Sequence, residues 1–256
     1  MTLMRLFNPT PHRLRAACAL AAFVILGASA SAQHSYATLG SPYTQDFSAL
    51  GTANIAVAGG DLNLHSSAVN GWYFVESSGN TQMDAGTGSS STGNSFHFGL
   101  SGNTERAIGG LQSGSNNPTI GFYLVNNTGA TITDVAIVYT GETWRIGATG
   151  RFDRIDFQYS TDATSLSTGT WSDVDALDYA NVAAGATANG SMLHSAAISH
   201  TITGLALANG STLFIRWTDF NASGADDGMG VDDFSLTGTA APSISTDLTG
   251  FSGAFG

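Results

Sequence analysis

The 256-residue chain contains no lysine, only eight arginines and five prolines, and one cysteine, Cys18. Three of those arginines, Arg5, Arg13 and Arg15, and the cysteine fall in the first 32 residues. Past that point five arginines stand against nineteen acidic residues, a formal charge of −14. So acidic a surface repels nucleic-acid backbones and anionic membranes, so neither is expected as a partner. Without cysteine there is no disulfide staple and no thiol nucleophile, and a fold that persists must rest on its core or on a metal. Zinc-binding histidine spacing, a G-x-S-x-G elbow and a phosphate loop with lysine are all absent.

Long apolar runs are scarce too. Ala16–Gly27 (AACALAAFVILG) is too short for a comfortable bilayer span and follows a basic start. Ala30-Ser31-Ala32 has the small-x-small pattern of a cleavage site. The expectation is a cleaved signal peptide over 1–32, a secreted protein starting at Gln33, a single module over 33–239 and a C-terminal tail over 240–256.

What the chain does have is period-two alternation broken by Gly, Ser, Thr and Asn. Strands are expected over Tyr43–Leu50, Gly71–Glu76, Ser95–Leu100, Arg106–Leu111, Thr119–Asn126, Ile132–Tyr139, Arg151–Ser160, Trp171–Val174, Ser199–Leu205, Thr212–Thr218 and Val231–Leu236. In RFDRIDFQYS, Ile155, Phe157 and Tyr159 share one face, while Arg154, Asp156 and Gln158 share the other. Asn80–Gly93 reads as a polar, mobile loop. Many short strands with apolar residues on both faces predict an all-β, jelly-roll-like β-sandwich of two mostly antiparallel sheets.

Trp217–Leu236 (WTDFNASGADDGMGVDDFSL) concentrates the polar chemistry. Asp219, Asn221 and Ser223, followed by Gly224, match the first half of a D-x-[DN]-x-[DNS]-G calcium loop. Asp227 falls at the ninth position, but the twelfth is Gly230 rather than glutamate, and the flanks read as strands, which excludes an EF-hand. Asp226, Asp232 or Asp233 would complete a Ca2+ site, joined by Asp46 if the first and last strands pair; the alternative is an acidic turn with no metal. Glu142, Trp144 and Arg145 form the densest polar-aromatic group, read as packing rather than as a sugar platform. Paired acids such as Asp173 with Asp175, or Asp226 with Asp227, are the only hint of glycoside chemistry.

Three stretches, NNTGATITDVAIVYTGETWR, DRIDFQYSTDATSLSTGTWSDVDALDY and LFIRWTDFNASGADDGMGVDDFSL, resemble secreted bacterial β-sandwich modules. Such modules are found in proteins with a PEP-CTERM sorting tail and beside extracellular nuclease, phosphoesterase or lamin-tail-type domains. The resemblance runs from about Tyr43 to Gly238. It implies an accessory, extracellular or cell-surface role and no catalytic residue; the expected partner is an extracellular ligand, with polysaccharide or matrix as the candidates. The chain departs from the family after Gly238, where no Pro-Glu-Pro signal, apolar helix or basic end follows. Other sorting, plain release and a truncated product therefore stay open. Two alternatives are carried: an accessory module of a larger extracellular hydrolase, and a divergent glycan-active enzyme.

Overall fold

The computed structural model describes residues 33–56, 69–181 and 187–242. The expected leader, most of the expected tail and His65 lie outside the described residues. In chain order the strands are β1 (His34–Tyr36), β2 (Tyr43–Gln45), β3 (Ile55–Ala56), β4 (Trp72–Glu76), β5 (Gln82–Gly86), β6 (Asn94–Phe98) and β7 (Ala107–Leu111). Then come β8 (Pro118–Asn126), β9 (Asp134–Ile146), β10 (Asp153–Ser160), β11 (Ser172–Asp173), β12 (Tyr179–Asn181), β13 (Ala188–Ile202), β14 (Thr212–Asp219) and β15 (Gly228–Thr239).

Two sheets result. One has seven strands, ordered β1-β8-β14-β10-β11, with β4 also on β8 and β12 also on β10. The other has eight, ordered β13-β9-β15-β7-β6-β5-β3, with β2 also on β15. Among the described residues only β1–β8 and β5–β6 pair in parallel. Between β8 and β10 the chain crosses to the other sheet for β9 and returns, and between β13 and β15 it crosses for β14 and returns, the jelly-roll habit expected from the sequence.

Alternation decides what lies between the sheets. Ile120, Phe122 and Leu124 of β8, Val135, Ile137 and Tyr139 of β9, Ile155 and Phe157 of β10, and Leu213, Ile215 and Trp217 of β14 all enter one core. Trp217 sits at its centre, with the rings of Tyr139, Phe157, Phe234 and Trp72 centred 5.3, 5.2, 5.9 and 6.0 Å away. Each fully buried large side chain contributes about 1.5–3 kcal/mol, which is how the module stands without a disulfide. Three tryptophans, Trp72, Trp144 and Trp217, are fully buried, in keeping with their reading as packing.

Some elements differ from expectation. Within Asn80–Gly93 lies β5, with Met83 fully buried and Asp84 accepting from Asn94 Nδ2 at 2.8 Å. Pairing with β6 overrides a composition that disfavours strands. Tyr43–Leu50 is strand only to Gln45; Phe47 adopts φ 56° and Ser48–Leu50 form a 3-10 turn. Both β9 and β13 run longer than expected, because Ala188–Ile202 lines up along β9 as an edge strand with a bulge between Asn189 and His194.

The two ends of the described sandwich are clasped together. The Tyr36 hydroxyl accepts from Gly238 N at 2.8 Å and donates to Ser41 O at 2.8 Å, and Gly40 N donates to Gly238 O at 2.9 Å. A Cβ on Gly238 would come within 3.1 Å of the Tyr36 ring.

Candidate functional site

The residues expected to hold calcium fall in different places. Asp219, the last residue of β14, is buried with Asp153, Asp226 and Asp227. Asn221 and Ser223 are exposed. Asp46 is exposed, its Oδ1 accepting from Ser48 N at 3.2 Å, and it lines a cleft of about 420 Å³ with Thr44, Gln45, Ala49, Asp233 and Phe234. The expected pairing of β2 with β15 is present. Asp232 lies five residues beyond Asp227 along extended chain, roughly 17 Å at strand rise, and neighbours Glu105 and Glu142 instead.

The corner around Asp219 is closed by hydrogen bonds. Asp227 accepts from Gly147 N at 2.7 Å and Asn181 Nδ2 at 2.8 Å, and pairs with Arg151 at 3.3 Å. Asp153 accepts from Asp227 N at 2.7 Å and Arg154 N at 2.9 Å, and pairs with Arg151 at 2.9 Å. Asp226 accepts from Ala222 N at 3.0 Å, and Asp219 from Gln112 N at 2.9 Å. Burial, then the charges of Asp153 and Asp226, push Asp219 well above the usual carboxylate range. Burial likewise raises Asp226 to about 6. Asp219 Oδ1 alone among the oxygens of this group is buried without a donor among the described residues.

A second feature lies on the outer face of the seven-stranded sheet. Register puts Tyr73, Gly121, Arg216, Gln158 and Asp173 in one row across β4, β8, β14, β10 and β11. Tyr123, Phe214 and Ser160 form the next row, and Val75, Thr119, Thr218 and Asp156 the one on the other side. Gly121 is required here: a Cβ would meet Ile215 O at 2.3 Å and Leu166 Cδ2 at 2.5 Å. The loop after β10 thereby lays Leu166 onto Phe214. Arg216 donates to Gln158 Oε1 from Nε (2.9 Å) and Nη2 (2.6 Å) and to Leu166 O at 2.6 Å, and its guanidinium lies 3.9 Å over the Trp171 ring. Tyr73, Tyr123 and Trp171 are half-buried, and Tyr123 stacks on Phe214 at 3.9 Å. Half-exposed rings thus lie on this face beside an amide, a guanidinium and carboxylates, around the Leu166–Phe214 contact made by the loop after β10. The β10 alternation already placed Gln158 outward; the row itself depends on pairing between strands far apart in sequence.

No family model and no curated protein matches this chain. Among solved structures, it is similar to the K1 cleaved adhesin domain of Lys-gingipain from Porphyromonas gingivalis W83, at 9% identity over 78% of this chain and 100% of that one, TM-score 0.37. It is also similar to a non-crystalline-cellulose-specific carbohydrate-binding module, CBM28, at 13% identity over 75% and 98%, TM-score 0.34. A third is the family 11 carbohydrate-binding module from Clostridium thermocellum, at 13% identity over 67% and 91%, TM-score 0.30. Similarity of this depth assigns no ligand and no activity.

Proposed function

We propose that this protein is a secreted, non-catalytic β-sandwich that binds an extracellular polysaccharide on the outer face of its seven-stranded sheet. The observation that carries this reading is the row Tyr73–Gly121–Arg216–Gln158, with the Trp171 ring fixed beneath Arg216. A sugar ring offers an apolar C–H face and an equatorial belt of hydroxyls. Half-exposed rings take the first, and a preorganised guanidinium with amide and carboxylate neighbours takes the second. Because Arg216 is already tied to Gln158 and Leu166 O, little side-chain freedom is lost on binding. Secretion is supported by the basic start, the short apolar run and the Ala30-Ser31-Ala32 site.

The test is native affinity electrophoresis of the purified chain through gels containing soluble cellulose derivatives, β-glucans, galactans, arabinans or pectins. Retardation by at least one polysaccharide, abolished by Trp171→Ala and kept by Phe152→Ala at a remote exposed ring, is the expected result. Free migration in every gel, or retardation indifferent to Trp171→Ala, would refute it.

A further inference from the structure

The outer face of the eight-stranded sheet carries a feature that the glycan reading leaves untouched. Glu105 lies two residues before β7, Glu142 lies in β9 and Asp232 in β15, and β15 pairs with both β7 and β9. One oxygen from each of the three carboxylates lies within 4.8 Å of the other two. In the row beside them Glu142 pairs with Gly230, and Gly230 with Gly109. A Cβ on Gly109 would lie 2.0 Å from Met229 O, so glycine lets the β7 and β15 backbones close up beneath the carboxylates.

Asp232 is only 5% exposed, yet its Oδ1 is buried without a hydrogen-bond donor among the described residues, and so is Oε1 of Glu105. Glu142 commits one oxygen, accepting from Trp144 Nε1 at 2.8 Å. Arg106, the cation next in the chain to Glu105, is turned to backbone carbonyls instead, donating to Gly51 O at 2.5 Å and Asn103 O at 2.7 Å. Burial and neighbouring carboxylates push Glu142 up to about 7 and Asp232 well above its usual range. Either a shared proton or a cation has to sit among these groups.

We propose that Glu105, Glu142 and Asp232 hold a calcium ion on the outer face of the eight-stranded sheet. The donors are all hard carboxylate oxygens, with no imidazole or thiolate among them, which selects against zinc and copper. At Ca–O distances of about 2.3–2.6 Å, two oxygens across the ion stand about 5 Å apart, so the observed spread admits calcium with little movement. Two unpartnered buried oxygens would gain the partner they lack, and the protons held on Glu142 and Asp232 would be released.

The test uses the full processed chain with CaCl2, MgCl2 and TbCl3 as probes. Calcium at a hundredfold excess over its Kd is expected to raise Tm by about 5–10 °C relative to EDTA, with proton release in weak buffer. Terbium should show luminescence on tryptophan excitation, reduced by Trp144→Phe and chased by calcium. Glu142→Gln combined with Asp232→Asn should weaken calcium by about a hundredfold or more, whereas Asp226→Asn, in the other acidic corner, should leave it unchanged. A wild-type chain with the same Tm in calcium and EDTA and no terbium signal would overturn the proposal. So would a calcium effect that survives the double variant or disappears with Asp226→Asn. If the double variant does not fold, the terbium titration and the Trp144→Phe control decide alone.

Discussion

Two buried groups of carboxylates on one sandwich have been treated in opposite ways. Around Asp227 almost every oxygen meets a backbone N–H, an asparagine amide or Arg151. Around Asp232 the arginine next to Glu105 donates to backbone carbonyls, and Asp232 Oδ1 and Glu105 Oε1 are buried without a donor among the described residues. The same residue type is a structural crosslink in the first setting and the proposed calcium ligand set in the second. Local density of aspartate, which is higher in the first, does not tell them apart; the supply of donors does.

The comparison breaks most visibly at Asp227. Asp227→Ala strands Gly147 N–H, Asn181 and part of the Arg151 charge in a buried place, and a loss of about 3–5 kcal/mol is expected in chemical denaturation. A pH series in EDTA gives the next largest effect. Glu142 is raised to about 7, and Asp178 and Asp226 to about 6, so in the folded state each binds its proton more tightly than in the unfolded chain. The stability they contribute is therefore fully present below the unfolded values near 4 and is lost as pH rises through 6 to 7. Tm should fall between pH 5 and pH 8. Calcium should reduce that fall through Glu142 and Asp232, and Asp226→Asn should reduce it without any metal. Smaller still is Asp219→Asn, which supplies a neutral amide where a buried charge is disfavoured. Stability at pH 8 should stay within about 1 kcal/mol of wild type or rise, with a flatter pH profile. Trp171→Ala should be the mildest, under about 1 kcal/mol, while removing polysaccharide retardation.

Much of the sandwich was readable from alternation, because β8, β10 and β14 each have one face that must be buried. The strands that were missed or cut short include β1, β3, β5, β12 and most of β13; they are short or, like β13, rich in Gly, Ala, Ser and Asn, and are held by neighbours rather than by their own preference. The residues of the calcium motif are spread apart for a related reason. Its spacing is local, yet Asn221 and Ser223 are exposed, while the groups that reach Asp219 come from Asp153 and from Asp226 and Asp227 beyond the glycines. Glu105, Glu142 and Asp232 meet only because β15 is flanked by β7 and β9, which no window of sequence contains. Glu142 was singled out beside Trp144, and the structure bears out the packing of that ring while giving its N–H to the carboxylate.

The knot between Tyr36 and Gly238 has a mechanical consequence. Because the first strand and the last leave the sandwich side by side there, tension applied through the two termini loads those few hydrogen bonds first and peels them in turn. The sheets behind would feel the pull only afterwards, so the module would yield from its seam while its interior stayed intact.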